Sequence, residues 1–151
     1  MRIYLPASLD ELDPASPPLS GRRVHALTPA LRAMFPDEDD EGLEYAAQLA
    51  AADDSLLLLG ERPGAPQLRC IVSADVADAA IVPVPDDDDV PSVVELTRAV
   101  PQSDVICVHV DEPTAAADVA LAAAGDEDAA GRLDERDLLW YDASELVSIP
   151  R

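Results

Sequence analysis

Lysine is absent from this chain of 151 residues, and so is asparagine. All ten basic residues are arginines, set against 31 Asp and Glu, which leaves a formal charge of -21 at pH 7. Without a lysine amine, P-loop phosphate binding, a kinase-type phosphate lysine and Schiff-base or pyridoxal chemistry are excluded. The acidic excess also repels phosphate backbones and anionic lipid surfaces, which argues against direct nucleic-acid or membrane binding. Aromatic residues make up only 3% of the chain, so core volume must come from Leu, Val, Ile and Ala, with Tyr4, Phe35, Tyr45, Trp140 and Tyr141 as scarce large pieces. The six glycines form no GxGxxG fingerprint and the nine serines no GxSxG elbow. Cys70 and Cys107 lack any CxxC spacing. With no signal peptide and no apolar run of about 18 residues, they read as reduced, buried thiols of a cytosolic protein.

What is present suffices for one compact α+β domain, since a 48% hydrophobic fraction can fill a single core. Codons for Lys and Asn are AT-rich, so their absence beside abundant Ala reads as the bias of a GC-rich genome. The acids then read as a solvated surface, with a halophile surface and acidic mimicry of nucleic acid as the alternatives. Arg2 to Leu5 is expected as a first strand, Asp10 to Gly21 as a loop after at most a helical turn, and Arg23 to Ala26 as a second strand. Thr28 before Pro29 is an N-cap with proline at the first helical position, opening a short helix that Pro36 stops.

Tyr45, Leu49, Ala52, Leu56 and Leu59 fall on one stripe of a helix from about Glu41 to Leu59, capped by Gly60. Leu43, Ala46, Ala50 and Leu57 make a second side apolar, which predicts a central helix covered on more than one face. From Gln67 the period becomes two. Leu68 to Ala74, Ala79 to Val84, Val93 to Val100 and Val105 to Val110 are Val- and Ile-rich runs joined by short Pro and Asp turns. They are expected to form an antiparallel meander or paired hairpins, with Pro83 and Pro85 at an edge and Asp86 to Asp89 as an exposed loop. An Ala-rich helix from Pro113 to Ala124 ends at Gly125. Asp142 with Glu145 forms a capping box for a last short helix after Leu138 to Tyr141. The expected sheet is antiparallel or mixed, with about five to six short strands packed with helices.

Three groups of residues carry candidate chemistry. His109, Asp111 and Glu112 combine an imidazole with carboxylates at a strand end, as a general acid-base or metal pair would require. Asp126, Asp128, Asp134 and Asp137 fall at positions 1, 3, 9 and 12 of a calcium loop of the EF-hand type, in which Ala130 replaces an oxygen donor and the last ligand is shortened to Asp. Trp140 and Tyr141 suit a partner surface, because Trp and Tyr are enriched in hot spots. Cys107 and His109 share a strand face without a third group to orient them. Arg22 and Arg23 are expected to pair with nearby acids.

The segments MRIYLPAS at Met1–Ser8, LEYAA at Leu43–Ala47, CVHVDE at Cys107–Glu112, AGDEDA at Ala124–Ala129 and LLWYDASEL at Leu138–Leu146 together resemble a family of small actinobacterial proteins of unknown function. The resemblance implies a cytosolic protein from a GC-rich, non-halophilic source and carries over no catalytic residue. The leading expectation is a non-catalytic cytoplasmic interaction or regulatory domain with a protein partner, compatible with a homodimer and needing no cofactor. The alternatives are a metal-assisted or acid-base hydrolase centred on His109, Asp111 and Glu112, using a divalent metal in its first form, and an acidic nucleic-acid mimic.

Overall fold

A computed structural model describes residues 1–84 and 90–151. Pro85 and the Asp86 to Asp89 loop lie outside the described residues. Among the described residues there are seven strands: β1 (Arg2–Ala7), β2 (Arg23–His25), β3 (Cys70–Asp75), β4 (Ile81–Pro83), β5 (Val93–Leu96), β6 (Val105–Val110) and β7 (Leu139–Asp142). They form one antiparallel sheet in the order β4-β5-β2-β1-β3-β6-β7. Four helices accompany them: α1 (Pro29–Met34), α2 (Asp40–Glu61), α3 (Ala116–Ala123) and α4 (Glu127–Asp134).

The fold is α+β as expected, but two expectations about the sheet are corrected. It has seven strands instead of five or six, because the Leu138 to Tyr141 run is itself a strand, paired with β6. The Val- and Ile-rich runs do not form a simple meander either. Only β4 and β5 make a local hairpin, which the chain after β3 carries past β1 and β2 to the far edge, while β3 pairs with β1 and β6. Pro83 does sit on the edge strand β4. Pro6, by contrast, lies inside the central strand β1; its carbonyl accepts from the Arg22 guanidinium at 3.1 Å, on the side away from its β3 partner Ile71. Its missing amide therefore falls where β1 has already parted from β2, and costs the ladder nothing.

The two faces of the sheet are covered differently. Ile3, Leu5, Val24, Val72, Val94, Val108 and Val110 on one face pack beneath Leu9, Leu12, Leu19, Leu146 and Ile149, which come from loops and short 3-10 turns. On the other face α2 lies chiefly over β1, β2 and β3. Its core seam is Leu43, Ala47, Ala51, Ala52, Ser55 and Leu59. The expected stripe is thus rotated away from the sheet: Tyr45 and Leu49 are exposed at 56% and 45%. Alanine supplies the seam because a small side chain lets the helix approach the sheet closely. That closeness allows the Ser55 hydroxyl to donate to the Ala7 carbonyl (2.8 Å) and accept from the Cys70 amide (3.0 Å).

Several local signals act as expected. Thr28 caps α1 through the Leu31 amide, and the Asp142–Glu145 capping box opens the 3-10 turn at Ala143–Ser148. Gly125 adopts a φ of 100° after α3, with the Asp126 amide bonded back to the Leu121 carbonyl. Gly60 is not the cap of α2, which runs on to Glu61. A Cβ there would lie 2.8 Å from the Ala123 carbonyl oxygen, so this glycine sets how closely α2 and α3 meet.

Candidate functional site

Beyond β3, the α2 face of the sheet continues onto β6 and β7. Directly paired residues share a face, so His109 and Trp140 stand side by side, as do Cys107 and Asp142. Two adjoining cavities of about 510 and 600 Å³ follow the line between α2 and these strands, with Tyr45, Gln48 and His109 lining both. Together they make a groove with α2 as one wall. Leu49, Ala52, Asp53, Asp134, Asp137 and Leu138 line one end, and Glu44, Ser73 and Cys107 the other. Trp140 is 57% exposed on the edge strand, beside His109.

Arg69 closes the floor at one end. Its guanidinium makes a bidentate pair with Asp111, Nε to Oδ2 and Nη2 to Oδ1 both at 2.8 Å, and both side chains are buried. The Arg69 amide also donates to Asp111 Oδ2, and Nη2 reaches the Leu133 carbonyl in the last turn of α4. This pair fastens α4 to the sheet through the Leu133 carbonyl, which also accepts from the Arg136 amide at 3.0 Å.

His109 is half-buried, and burial lowers its pKa below the ordinary imidazole value. Its Nδ1 is buried without a hydrogen-bond partner among the described residues. The structure places His109 in β6 and Asp111 and Glu112 just past its end, but gives the two carboxylates to other partners. Asp111 is held by Arg69, and Glu112 pairs with Arg136 at 3.0 Å. Both carboxylates of the strand-end cluster are thus engaged by arginines, Arg69 and Arg136, and not by the imidazole.

The Asp126 to Asp137 segment is mostly the helix α4. Asp126 caps it, accepting from the Ala129 amide at 2.8 Å, and Asp128 lies in its first turn. Asp134 ends the helix and Asp137 follows, both lining the groove. The four carboxylates are therefore spread along a helix instead of converging in a loop. Among the described residues, no group of three or more His, Cys, Asp or Glu is arranged to hold a metal ion. Asp134 stands near Asp53, and partial burial together with that neighbour raises the Asp53 carboxyl. The Trp140–Tyr141 pair is divided between faces: Tyr141 packs on the main core while Trp140 stays in solvent.

A second polar assembly joins β2, α2 and the start of β5. His25 Nε2 lies 3.0 Å from Asp54 Oδ2 and its Nδ1 2.8 Å from Ser92 Oγ. This is the residue set of a Ser-His-Asp triad, but the geometry does not open it to chemistry. Ser92 and His25 are buried. The carboxylate end faces a separate cleft of about 910 Å³, where Arg23 also binds Asp54. The His25 and Arg23 contacts hold the Asp54 carboxyl below the usual carboxylate range, against the opposing effect of burial, which leaves a weak base. No sequence spacing announces this assembly, since its members are 29 and 67 positions apart. Arg22 pairs with Glu11 in the same cleft, as expected for an arginine among acids.

These elements define a small α+β domain with an open groove beside α2. The chain belongs to the family of unknown function DUF6912, whose model matches residues 1–149. No curated protein and no solved structure matches it.

Proposed function

We propose that this domain is a non-catalytic interaction module that docks a protein partner in the groove between α2 and the β6–β7 edge. One observation carries this reading. The chain's sole tryptophan, Trp140, is 57% exposed on an edge strand, with the exposed Tyr45 and Leu49 across the groove. Large apolar side chains gathered around a concavity mark interaction surfaces, and Trp and Tyr are the residues most enriched among binding hot spots. Cations in the groove are already neutralised: Arg69 by Asp111, Arg136 by Glu112 and Arg2 by Asp75. Asp53 and Asp134 stand near each other at one end of the groove and, among the described residues, have no such partner, so the groove favours a basic occupant. The net charge of -21 opposes a second copy of the chain there and favours a partner of opposite charge. Docking of this kind needs no cofactor or metal. It suits the cytoplasm of the actinobacterial source that the sequence resemblance implies. Among the described residues, no helix is long and apolar enough to cross a membrane.

Selection of random displayed peptides on the purified protein tests this. The selected pool is expected to shift Trp140 emission to the blue and to be lost with Leu49→Glu, while Leu57→Glu, on an exposed residue of the other cleft, retains it. A pool that survives Leu49→Glu and is lost with Leu57→Glu would move the site to the other side of α2 and overturn the reading.

A further inference from the structure

We infer that the occupant of this groove is a short, basic amphipathic helix that lies beside α2 on the β6–β7 shelf and extends the layer α3 and α4 begin. The inference rests on the docking reading and adds the shape and charge of the partner.

The stripe Tyr45, Leu49, Ala52, Leu56 and Leu59 runs along the flank of α2, a helix of 22 residues and about 33 Å. Its second half is covered by helices: Leu56 and Leu59 pack with Val119 of α3 and Leu133 of α4. Those helices have eight residues each, about 12 Å, so together they reach only part of the flank. The first half bears side chains of the same kind, Tyr45 and Leu49, and no element of the described residues covers them. The helical layer simply stops at the end of α4.

The uncovered floor has the width of a helix. β6 and β7 lie about 4.8 Å apart, and a helix with its side chains is about 10 Å across, so one helix covers two strands. Along this floor the exposed Trp140 indole stands beside the His109 ring. At its junction with α4 stand Asp53 and Asp134, whose crowding a Lys or Arg of the partner relieves. An extended segment would instead pair with the open edge of β7, leaving Tyr45 and Leu49 uncovered across the shelf. The flank of α2 therefore favours the helix.

Two displayed libraries of equal length distinguish these cases. One places apolar residues at helical spacing and the other at alternating spacing, with Lys, Arg, Asp and Glu allowed at every remaining position. The helical library is expected to yield the tighter ligands, enriched in Lys and Arg. They should gain helical circular dichroism on binding, blue-shift Trp140, and weaken about fivefold with Asp53→Asn plus Asp134→Asn, the scale of one ion pair. Neither residue belongs to the buried core, so the double variant should fold, and an unchanged melting curve checks that. Ligands drawn only from the alternating library, protecting the β7 amides from exchange, would overturn the helix while leaving the docking reading standing. So would helical ligands without basic enrichment, by removing the charge argument. Ligands from either library that leave Trp140 emission unchanged would overturn the docking reading together with the helix.

Discussion

From Leu56 onward the flank of α2 is sealed beneath α3 and α4, whereas two turns earlier Tyr45 and Leu49 face an open groove. The sequence period is the same throughout and the surroundings are not. Apolar spacing along a helix therefore states which side chains need a neighbour, without stating whether this chain provides one. Here α3 and α4 provide it for one half, and Gly60, beside the Ala123 carbonyl, allows the close contact that holds them there.

Predictions that break or sharpen this comparison follow from the energetics of each half. The largest effect is expected at the boundary. Asp111→Ala strands a buried Arg69 guanidinium and releases the Leu133 carbonyl contact, at a cost of about 3–5 kcal/mol in chemical denaturation. Replacing both members of the pair by apolar residues should recover most of that loss. Next comes the direct contrast between the halves. Leu59→Ala, in the sealed half, should cost about 2–5 kcal/mol, and Leu49→Ala, in the open half, less than about 0.5 kcal/mol. Equal losses would mean that both halves are packed alike. Gly60→Ala should cost about 1–3 kcal/mol by pushing α3 away from α2, without altering Trp140 emission.

The smallest effect concerns pH. The folded pKa of His109 lies below its unfolded value, so the unfolded chain takes up the proton more readily and stability falls as the pH drops through about 6.5. His109→Phe should flatten that slope in denaturation midpoints measured between pH 7.5 and about 5.5. The Asp54 carboxyl, held low, adds its own loss only at lower pH, below about 3.9.

Local chemistry was the most legible part of the sequence. Thr28 before Pro29, the Val105–Val110 run and the Asp142–Glu145 box each mark an element at its observed position, because caps and strand periodicity depend on neighbours in the chain. The phase of α2 was misread because alanine is apolar without being large. The bulky Tyr45 and Leu49 looked like core, while Ala47 and Ala51 formed the seam. α4 was hidden by its own acids, since a capping Asp126 followed by charged residues also fits a metal loop. The strand order escaped because a short connection suggests a hairpin, yet the residues after β3 carry the chain to the opposite edge.

The site was legible in its parts and not as a whole. Trp140, His109, Asp134 and Asp137 each stood out for a separate reason; the structure gathers His109, Asp134 and Asp137 along one groove and sets Trp140 beside His109 on the edge strand. Arg69, Asp53, His25, Asp54 and Ser92 carried no sequence signal, because their partners are brought together only by the pairing of distant strands.

That pairing has a consequence for how the molecule comes into being on the ribosome. β1, which starts at the second residue, ends in the middle of the sheet, and its partner β3 is complete only at Asp75. Synthesis from the N-terminus therefore builds the sheet outward from its centre, with β6 and finally β7 added at one margin. Trp140, on β7, emerges after the other six strands. A nascent chain can close its central strands well before the proposed docking groove exists, and a chain cut short after Val110 would lack β7 and Trp140.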